Sequence, residues 1–403
     1  MAALGTIVVV GASLAGLRAV EALRSRGFDG TLVLIGAERH LPYDRPPLSK
    51  EVLRGDWDPA RTSLTKPEKF EALSLDLRLG SRAVGLDPSS KRLELDTGES
   101  VAYDGLILAT GARPLPIPGT PVLDGVHVLR TLDDSMAIAA ELDAGPRVVV
   151  VGAGFIGAEA AASCRARGLD VTLIEALPVP LGHVLGTELG EACAALHRDQ
   201  GVELLCGVAV STFEGHERVE RVQLADGRML DADVVIVGIG VTPEIDWLAS
   251  SGLDLGDGVL CDATLATSAQ GIVAAGDVAR WWNPLFEQSM RVEHWTNAAE
   301  QGTAAANRLL AGEEGGEVFS SVPFFWSDQY GVNIQFCGWN HPGDRVAIVD
   351  GSLADHRFLA LYGRGERLTA ALAFNRPRQL MTCRRLIREK TSFADAVKLC
   401  SSR

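Results

Sequence analysis

Residues 147–157 read RVVVVGAGFIG, and their pattern predicts the fold of the middle of the chain. Its four valines predict a short strand buried on both faces, because an apolar run without polar alternation suits a covered parallel sheet. Gly152, Gly154 and Gly157 follow at the spacing of a tight turn that leads from a strand into a helix. We expect that helix over 158–167.

The turn has the form of a dinucleotide-binding fingerprint. Glycine lets the backbone approach a pyrophosphate closely, and the N–H groups and dipole of a helix N-terminus favour the anion. A second predicted strand over 170–174 leads to Glu175, whose carboxylate can bind both ribose hydroxyls. Ala176 and Leu177 offer no cation for a 2′-phosphate. The pattern therefore favours NADH over NADPH.

The same plan occurs once before, near the start of the chain. Residues 6–16 read TIVVVGASLAG, and a predicted helix, a strand and Glu38 follow in the same order. Ser13 takes the place of the second glycine, whereas Gly11 and Gly16 keep theirs. Serine is small, so we predict a second dinucleotide site here, with an ordinary strand-turn-helix connection as the alternative.

Each copy also closes with an apolar strand that runs into glycine. Residues 105–111 read GLILATG and residues 233–240 read DVVIVGIG. Buried parallel strands end at the ligand edge of such a sheet. The residues predicted to border the nucleotides are Ala109, Thr110, Gly111, Gly238, Ile239 and Gly240, together with Phe155 and Ile156 in the second turn.

Two dinucleotide sites in one chain indicate FAD and a pyridine nucleotide. Residues 271–277, GIVAAGD, form a third such strand that ends at Gly276 and Asp277 without a fingerprint of its own. It must serve one of the two copies. A tightly held FAD can use an acid at a strand end to bind its ribitol chain, so we assign Asp277 to FAD. The alternative is a helix N-cap before Val278.

Composition and charge narrow the class of protein. A chain of 403 residues with 47% hydrophobic and 22% charged residues predicts two or three globular domains. The net charge of −14 argues against non-specific binding of nucleic acid and against a polybasic membrane anchor. The first residues show no basic region and only a short apolar run, so we expect a cytoplasmic protein.

The seven cysteines are scattered without a C-x-x-C pair. This spacing lacks the redox dithiol of a disulfide reductase and any thiolate cluster for iron-sulfur or zinc, so no metal is predicted. We interpret these cysteines as small buried hydrophobic residues.

The fold class expected is α/β, with two Rossmann-like dinucleotide-binding domains and a small α+β domain at the C-terminus. The expected boundaries are 1–113 and 241–320 for the FAD-binding domain, 114–240 for the NADH-binding domain and 321–403 for the C-terminal domain. Residues 114–119, PLPIPG, are predicted to be a linker because alternate prolines favour extended backbone. Residues 312–317 are predicted to be an exposed boundary.

Several further stretches resemble one known family. They are LPYDRPPLSK at 41–50, ATG at 109–111, GAGFIGAE at 152–159, residues 267–277, RVEHWTN at 291–297 and FFWSDQY at 324–330. Together they resemble the ferredoxin reductases of bacterial oxygenase systems, of the putidaredoxin reductase and biphenyl dioxygenase reductase type. The resemblance covers nearly the whole chain.

The resemblance implies a glutathione-reductase-like fold with FAD, NADH and C-terminal domains, and it implies roles for individual residues. Those implied to contact the flavin nucleotide are Lys50 at the reactive edge of the isoalloxazine, Asp277 at the ribitol, Trp295 by the ring, Arg45, Arg130, and Ala15, Ala37 and Ala83 through their backbone. Those implied for NADH are Glu159 at the nicotinamide amide, with Gly238 and Ile239 along its channel. Ser13 departs from the family pattern, and Ala37 before Glu38 blurs which position reaches the adenosine ribose.

Hydride transfer from NADH to FAD needs no acid, base or nucleophile from the protein, because the cofactors carry the chemistry. Lys50 would then stabilise the anionic reduced flavin. Other interpretations stay open: a surface lysine for Lys50, a helix-dipole acid for Glu159, core packing for Trp295 and a structural or exposed role for His294.

The acceptor implied is a small iron-sulfur ferredoxin, which is usually acidic. A basic patch could steer it: Arg376, Arg378, Arg384, Arg385, Arg388 and Lys390. The alternative is an ordinary solvated charged face. Ferredoxin could feed a haem-thiolate monooxygenase or a Rieske dioxygenase.

Competing functions within the same fold are reduction of rubredoxin, of a quinone or radical, or of dioxygen by an NADH oxidase. A peroxidase or disulfide reductase would require a cysteine near the flavin, and residues 38–51 contain none. A flavoprotein kept for binding or signalling would want a targeting segment or a basic DNA-binding surface.

Overall fold

The computed structural model describes residues 4–312 and 315–401, and the chain divides into two compact units. The first unit comprises Met1–Asp44, Ser63–Arg113 and Thr242–Pro323, and the second comprises Arg45–Thr62, Pro114–Val241 and Phe324–Arg403. The expected three-domain division stays a prediction. Part of the predicted boundary at 312–317, Glu313 and Glu314, lies outside the described residues.

A five-stranded parallel sheet forms the centre of the first unit. Its strands, in spatial order, are Ile272–Ala274, Gly105–Leu108, Thr6–Val10, Thr31–Gly36 and Asp76–Leu79. The third apolar strand, which was expected to belong to one of the two glycine copies, therefore lies in the sheet of the first copy. The valines and leucines of the three central strands are buried, as expected for a parallel sheet covered on both faces.

Helices, a small antiparallel sheet and a small mixed sheet complete the first unit. The helices are Leu14–Ser25, Pro67–Glu71 and Trp295–Ala311, with 3₁₀ turns at Asp246–Leu248 and Gly276–Val278. The smaller sheets consist of Ala83–Asp87, Arg92–Leu95 and Ser100–Ala102, and of Leu255–Gly256, Gly258–Cys261, Ala279–Asn283 and Gln288–Arg291. Gly302 lets the last helix pack closely on the first, because a Cβ there would lie 2.3 Å from the Ala15 carbonyl oxygen.

The second unit repeats the plan around the valine strand. The sheet order is Glu203–Cys206, Val171–Glu175, Val148–Val151, Val234–Val237 and Val126–Val128, and all neighbours are parallel. Its helices are Glu51–Arg54, Leu132–Leu142, Phe155–Ala166, Gly182–Leu185 and Thr187–Asp199, with 3₁₀ turns at Pro46–Ser49 and Pro59–Thr62. A small antiparallel sheet contains Val210–Gly215, Val219–Leu224 and Met229–Asp231. The short strands Ala112–Pro114 and Val241–Pro243 lie where the chain passes from one unit to the other.

The last residues form an antiparallel sheet that groups with the second unit. Its order is Phe324–Gln329, Val332–Gly338, Arg367–Phe374, Arg357–Arg364 and Arg345–Ser352, and the helices Pro377–Arg388 and Phe393–Cys400 follow. Stacked Phe358 and Phe374, with ring centroids 4.5 Å apart, lie in its core. The Tyr362 hydroxyl donates to the Leu185 carbonyl at 3.0 Å, which ties the sheet to the rest of the unit.

The boundaries differ slightly from those expected. The helix after the second glycine turn begins at Phe155 instead of residue 158, because the chain turns helical directly after Gly154. The next strand is Val171–Glu175, so Glu175 ends the strand itself. No helix of the described ranges 4–312 and 315–401 is both long and apolar enough to cross a bilayer.

The last glycine of each fingerprint is required by packing. A Cβ on Gly157 would lie 1.9 Å from the carbonyl oxygen of Gly152, and a Cβ on Gly16 would lie 1.9 Å from that of Gly11. Both contacts are to backbone, so no side chain can give way. The helix can approach its turn this closely only with glycine at these positions.

Gly157→Ala should therefore destabilise the second unit, whereas Gly154→Ala should not. Overpacking of this kind costs about 1–3 kcal/mol, which lowers a melting temperature by about 2–4 °C per kcal/mol. Gly154 has a φ of −73° and nothing within 4 Å of an added Cβ, so alanine fits there. Thermal unfolding without added nicotinamide nucleotide compares the two variants. Equal melting temperatures would contradict the packing account.

Candidate functional site

The turn of the first unit packs tightly against the ends of the neighbouring strands. Gly11 donates its N–H to the Ile35 carbonyl at 2.8 Å, and a Cβ on Gly11 would lie 2.0 Å from the Ala109 carbonyl oxygen. Ser13 directly precedes the helix with φ −116° and ψ −159°, an extended conformation open to any residue, and its side chain caps no helix N–H. Serine therefore replaces the expected glycine at no conformational cost.

The turn of the second unit has the same form and more open space. A Cβ on Gly152 would lie 2.4 Å from the Gly238 carbonyl oxygen, so the turn packs against the end of the neighbouring strand. Gly154 precedes the helix, and no side chain of the described residues caps this end. The space beside Gly154 and the uncapped helix start fit the pyrophosphate of a dinucleotide. Phe155 is partly exposed and Ile156 is 44% exposed beside it.

Glu175 holds the second turn in shape. Its carboxylate accepts hydrogen bonds from the N–H groups of Ala153 and Leu177, each at 2.8 Å. A carboxylate has further lone pairs, so these bonds fix its orientation and leave acceptor capacity for ribose hydroxyls. In the first unit Glu38 accepts from the Tyr43 hydroxyl, and Ala37 beside it is exposed.

The third strand ends close to the first helix. A Cβ on Gly276 would lie 3.1 Å from that of Ala15, and the Gly276 N–H donates to buried Gln301 at 2.8 Å. Asp277 follows, half-buried, in the 3₁₀ turn Gly276–Val278. The acid assigned to FAD thus lies in the same unit and sheet as the first glycine turn.

Trp295 and His294 lie at the start of the last helix of this unit. Trp295 begins the helix and donates its Nε1–H to Asp44 at 2.7 Å, so its ring is oriented while remaining half-buried. Burial lowers the pKa of His294 to about 4, although the charge of Asp277 acts in the opposite direction. His294 is therefore neutral at physiological pH, which agrees with a structural histidine.

A buried ion pair forms the most distinctive cluster of the second unit. Lys50 donates from Nζ to Glu159 at 2.8 Å, and the two residues are 5% and 3% exposed. The same carboxylate oxygen of Glu159 accepts from Ser49 Oγ at 2.6 Å. Its other oxygen accepts from Ser327 Oγ at 2.8 Å and from the Asp328 N–H at 3.3 Å. The interpretation of Lys50 as a surface lysine is wrong.

This cluster is a connection that sequence reasoning missed. Burying two charges is costly unless each is paired and hydrogen-bonded, and four donors meet that need for Glu159. From the sequence, Lys50 was assigned to FAD and Glu159 to NADH. Ser49 and Ser327 were assigned no role. Both serines lie inside stretches that carry the family resemblance, 41–50 and 324–330, and this was the one indication in the sequence that they belong to the site.

The remaining predicted residues fall at loop ends and strand ends of their units. Arg45 donates to the Arg130 carbonyl at 2.6 Å, so these two lie together in the second unit. Ala83 and Ala109 are buried in the first unit, where Thr110 Oγ1 donates to the Glu244 carbonyl at 2.9 Å. In the second unit, the strand Val234–Val237 is followed by half-buried Gly238 and by exposed Ile239 and Gly240. In the first unit, Gly111 follows the strand Gly105–Leu108.

The residues of the predicted basic patch differ in their exposure. Arg376 is half-buried and paired with Asp350, and the Arg384 guanidinium lies 5.6 Å from the ring centroid of Phe324. The exposed members are Arg378, Arg385, Arg388 and Lys390. Within residues 4–312 and 315–401, no group of three or more His, Cys, Asp or Glu side chains could hold a metal ion.

Comparison with known proteins agrees with this geometry. The family described as "Pyridine nucleotide-disulphide oxidoreductase" matches residues 5–302, and the family described as "Reductase C-terminal" matches residues 324–401. The chain is 36% identical over 385 residues to rhodocoxin reductase from Rhodococcus erythropolis, covering 95% of this chain and 89% of the relative. It is 37% identical over 384 residues to the anthranilate 1,2-dioxygenase system ferredoxin–NAD(+) reductase component from Burkholderia cepacia, covering 94% and 93%.

A solved structure extends the likeness to three dimensions. The crystal structure of a covalent putidaredoxin reductase–putidaredoxin complex matches with a TM-score of 0.91 and 32% identity, over 96% of this chain and 93% of that one. The predicted resemblance and the α/β fold class are confirmed. FAD and NAD(H) are the cofactors that this family uses, and the two glycine turns fit them. The chain therefore belongs to the pyridine nucleotide-disulphide oxidoreductase family, with the C-terminal domain of the reductases.

Proposed function

We propose that this chain is an FAD-dependent NADH:ferredoxin oxidoreductase that supplies electrons to an oxygenase through a small iron-sulfur protein. The observation that carries the proposal is that one chain holds two parallel sheets, each closed by its own glycine turn. The relatives named as ferredoxin reductase components, matched over nearly their whole length, support ferredoxin as the acceptor.

The two units divide the binding work. In the first, the turn Gly11–Gly16 binds the FAD pyrophosphate and Asp277 binds the ribitol. In the second, the turn Gly152–Gly157 binds the NADH pyrophosphate and Glu175 binds the ribose. FAD, when bound, accepts an electron pair from NADH and releases the electrons one at a time, which suits a one-electron iron-sulfur acceptor.

Glu159 is a positioning residue for Lys50 in this proposal. The four hydrogen bonds on its carboxylate hold the Lys50 ammonium at a defined place within a buried region. A fixed cation placed by the protein stabilises negative charge that develops in a reaction without reorganising. The family resemblance implies that Lys50 lies at the reactive edge of the isoalloxazine, where its charge would stabilise the anionic reduced flavin.

Adding NADH to the purified yellow protein should bleach its visible absorption, with slow return in air. Rapid turnover should follow when an iron-sulfur ferredoxin is added, measured as cluster reduction in an anaerobic cuvette. NADPH at the same concentration is the control and should bleach more slowly, because Ala176 and Leu177 supply no cation for a 2′-phosphate. Fast oxygen consumption without ferredoxin would instead identify an oxidase, and turnover with rubredoxin or a quinone alone would identify another acceptor.

Glu159→Gln should slow the NADH-dependent bleaching and lower the melting temperature. The substitution leaves the Lys50 ammonium buried without its anion, and breaking a buried pair costs about 3–5 kcal/mol. Glu191→Gln is the matched control, since Glu191 pairs with Arg198 on an exposed helix face where both side chains are about half exposed. Bleaching rates and melting temperatures that are equal in the two variants would rule out the positioning role.

We also propose that the exposed arginines of the helix Pro377–Arg388 steer the ferredoxin. Arg378→Glu with Arg385→Glu should raise the KM for ferredoxin by about tenfold at low salt and leave NADH-dependent bleaching unchanged. Raising the salt concentration should shrink the difference, because screening weakens steering. Arg228→Glu, on an exposed turn of the second unit, is the control. An unchanged KM in the double variant would discard this surface.

A further inference from the structure

Two cysteines that belong to no common sequence motif lie close together in the C-terminal part of the second unit. Cys383 lies in the helix Pro377–Arg388 and Cys400 ends the helix Phe393–Cys400. Their Sγ atoms are 3.7 Å apart. Cys383 is fully buried, whereas Cys400 is half-buried, so one sulfur of the pair is within reach of solvent.

We propose that Cys383 and Cys400 form a redox-active pair that closes to an intramolecular disulfide when a hydroperoxide oxidises Cys400. A disulfide bond is about 2.05 Å long, so the two sulfurs must approach by about 1.7 Å in total. Small rotations of two side chains on adjacent helices can supply that movement. The proposal concerns a modification site and does not depend on the function proposed above.

The two thiols differ in a way that assigns their order of reaction. The hydrogen bond that the two sulfurs share lowers the pKa of Cys400 and raises that of Cys383. The end of the helix dipole disfavours a thiolate at Cys400, so this hydrogen bond is what favours it. Thiolate character and exposure both decide reactivity towards peroxide, and both single out Cys400.

The reaction proceeds in two balanced steps. The Cys400 thiolate attacks one peroxide oxygen, the O–O bond breaks, a sulfenic acid forms, and the departing oxygen takes a proton and leaves as water or alcohol. The Cys383 sulfur then attacks the sulfenic sulfur. An S–S bond forms, the S–O bond breaks, and the hydroxide leaves with the Cys383 proton as water. Two thiols lose two electrons in total and one peroxide gains them.

The other buried cysteines are poorly suited to this chemistry. Burial raises the pKa of Cys164, Cys193 and Cys337 to about 12, and each is inaccessible. Cys337 lies on the neighbouring strand, with Sγ 3.9 Å from the Leu380 carbonyl. Cys206 and Cys261 are half-buried, but burial raises the pKa of both, to about 12 for Cys261, so oxidation should be selective for the pair.

Stoichiometric hydrogen peroxide added to the full-length flavoprotein, without NADH, tests the proposal. We expect denatured protein to lose two of its seven titratable thiols. Tryptic digestion without reductant should then yield one linked species joining QLMTCR, residues 379–384, to LCSSR, residues 399–403. Dithiothreitol should restore both thiols. Retention of all seven thiols, or linkage of any other cysteines, overturns the proposal.

Single variants assign the roles within the pair. Cys383→Ser should leave Cys400 as a sulfenic acid that dimedone traps, and Cys400→Ser should leave Cys383 reduced. Cys206→Ser is the control, because Cys206 ends a strand of the parallel sheet, and it should still form the linked peptides. Trapping of dimedone at Cys383 in the Cys400→Ser variant would overturn the assigned order. The wild-type peptide map decides the main question even where a variant folds poorly.

Discussion

In each unit a helix approaches its glycine turn so closely that no side chain fits between them. In both units the last glycine of the turn lies where a Cβ would be 1.9 Å from the carbonyl oxygen of the first. This contact brings the helix start to the end of the sheet, where its N–H groups can meet an anion. The two sheets are built outward from it, with valine-rich strands that need cover on both faces.

In the second unit, the buried ion pair of Lys50 and Glu159 fixes a positive charge beside the helix that follows the glycine turn. Glu159 lies on the helix that follows the turn, so the packing of that helix places its carboxylate. Lys50 and Ser49 come from a separate segment, and Ser327 comes from the C-terminal sheet. One carboxylate therefore connects parts of the chain that are distant in sequence, and it fixes the position of the buried ammonium.

Local patterns predicted the parts of the structure that local physics decides. The valine strands, both turns and the third strand ending at Asp277 follow from apolar runs and glycine spacing, and the third strand lies in the first sheet. Contacts between distant side chains carry no such pattern. The pairs Lys50 with Glu159, Arg376 with Asp350 and Cys383 with Cys400 form only because the tertiary fold brings them together. The helix start at Phe155 was missed because an aromatic residue after glycine gives no capping signal.

Whether one chain holds FAD and NAD⁺ at the same time can be measured as the number of dinucleotides bound. Calorimetric titration of NAD⁺ into the FAD-loaded protein, followed by desalting and measurement of retained flavin, gives both stoichiometries. Two independent turns predict one NAD⁺ bound per chain with FAD fully retained. Release of FAD on addition of NAD⁺, or no binding of NAD⁺ to the FAD-loaded protein, would contradict the account.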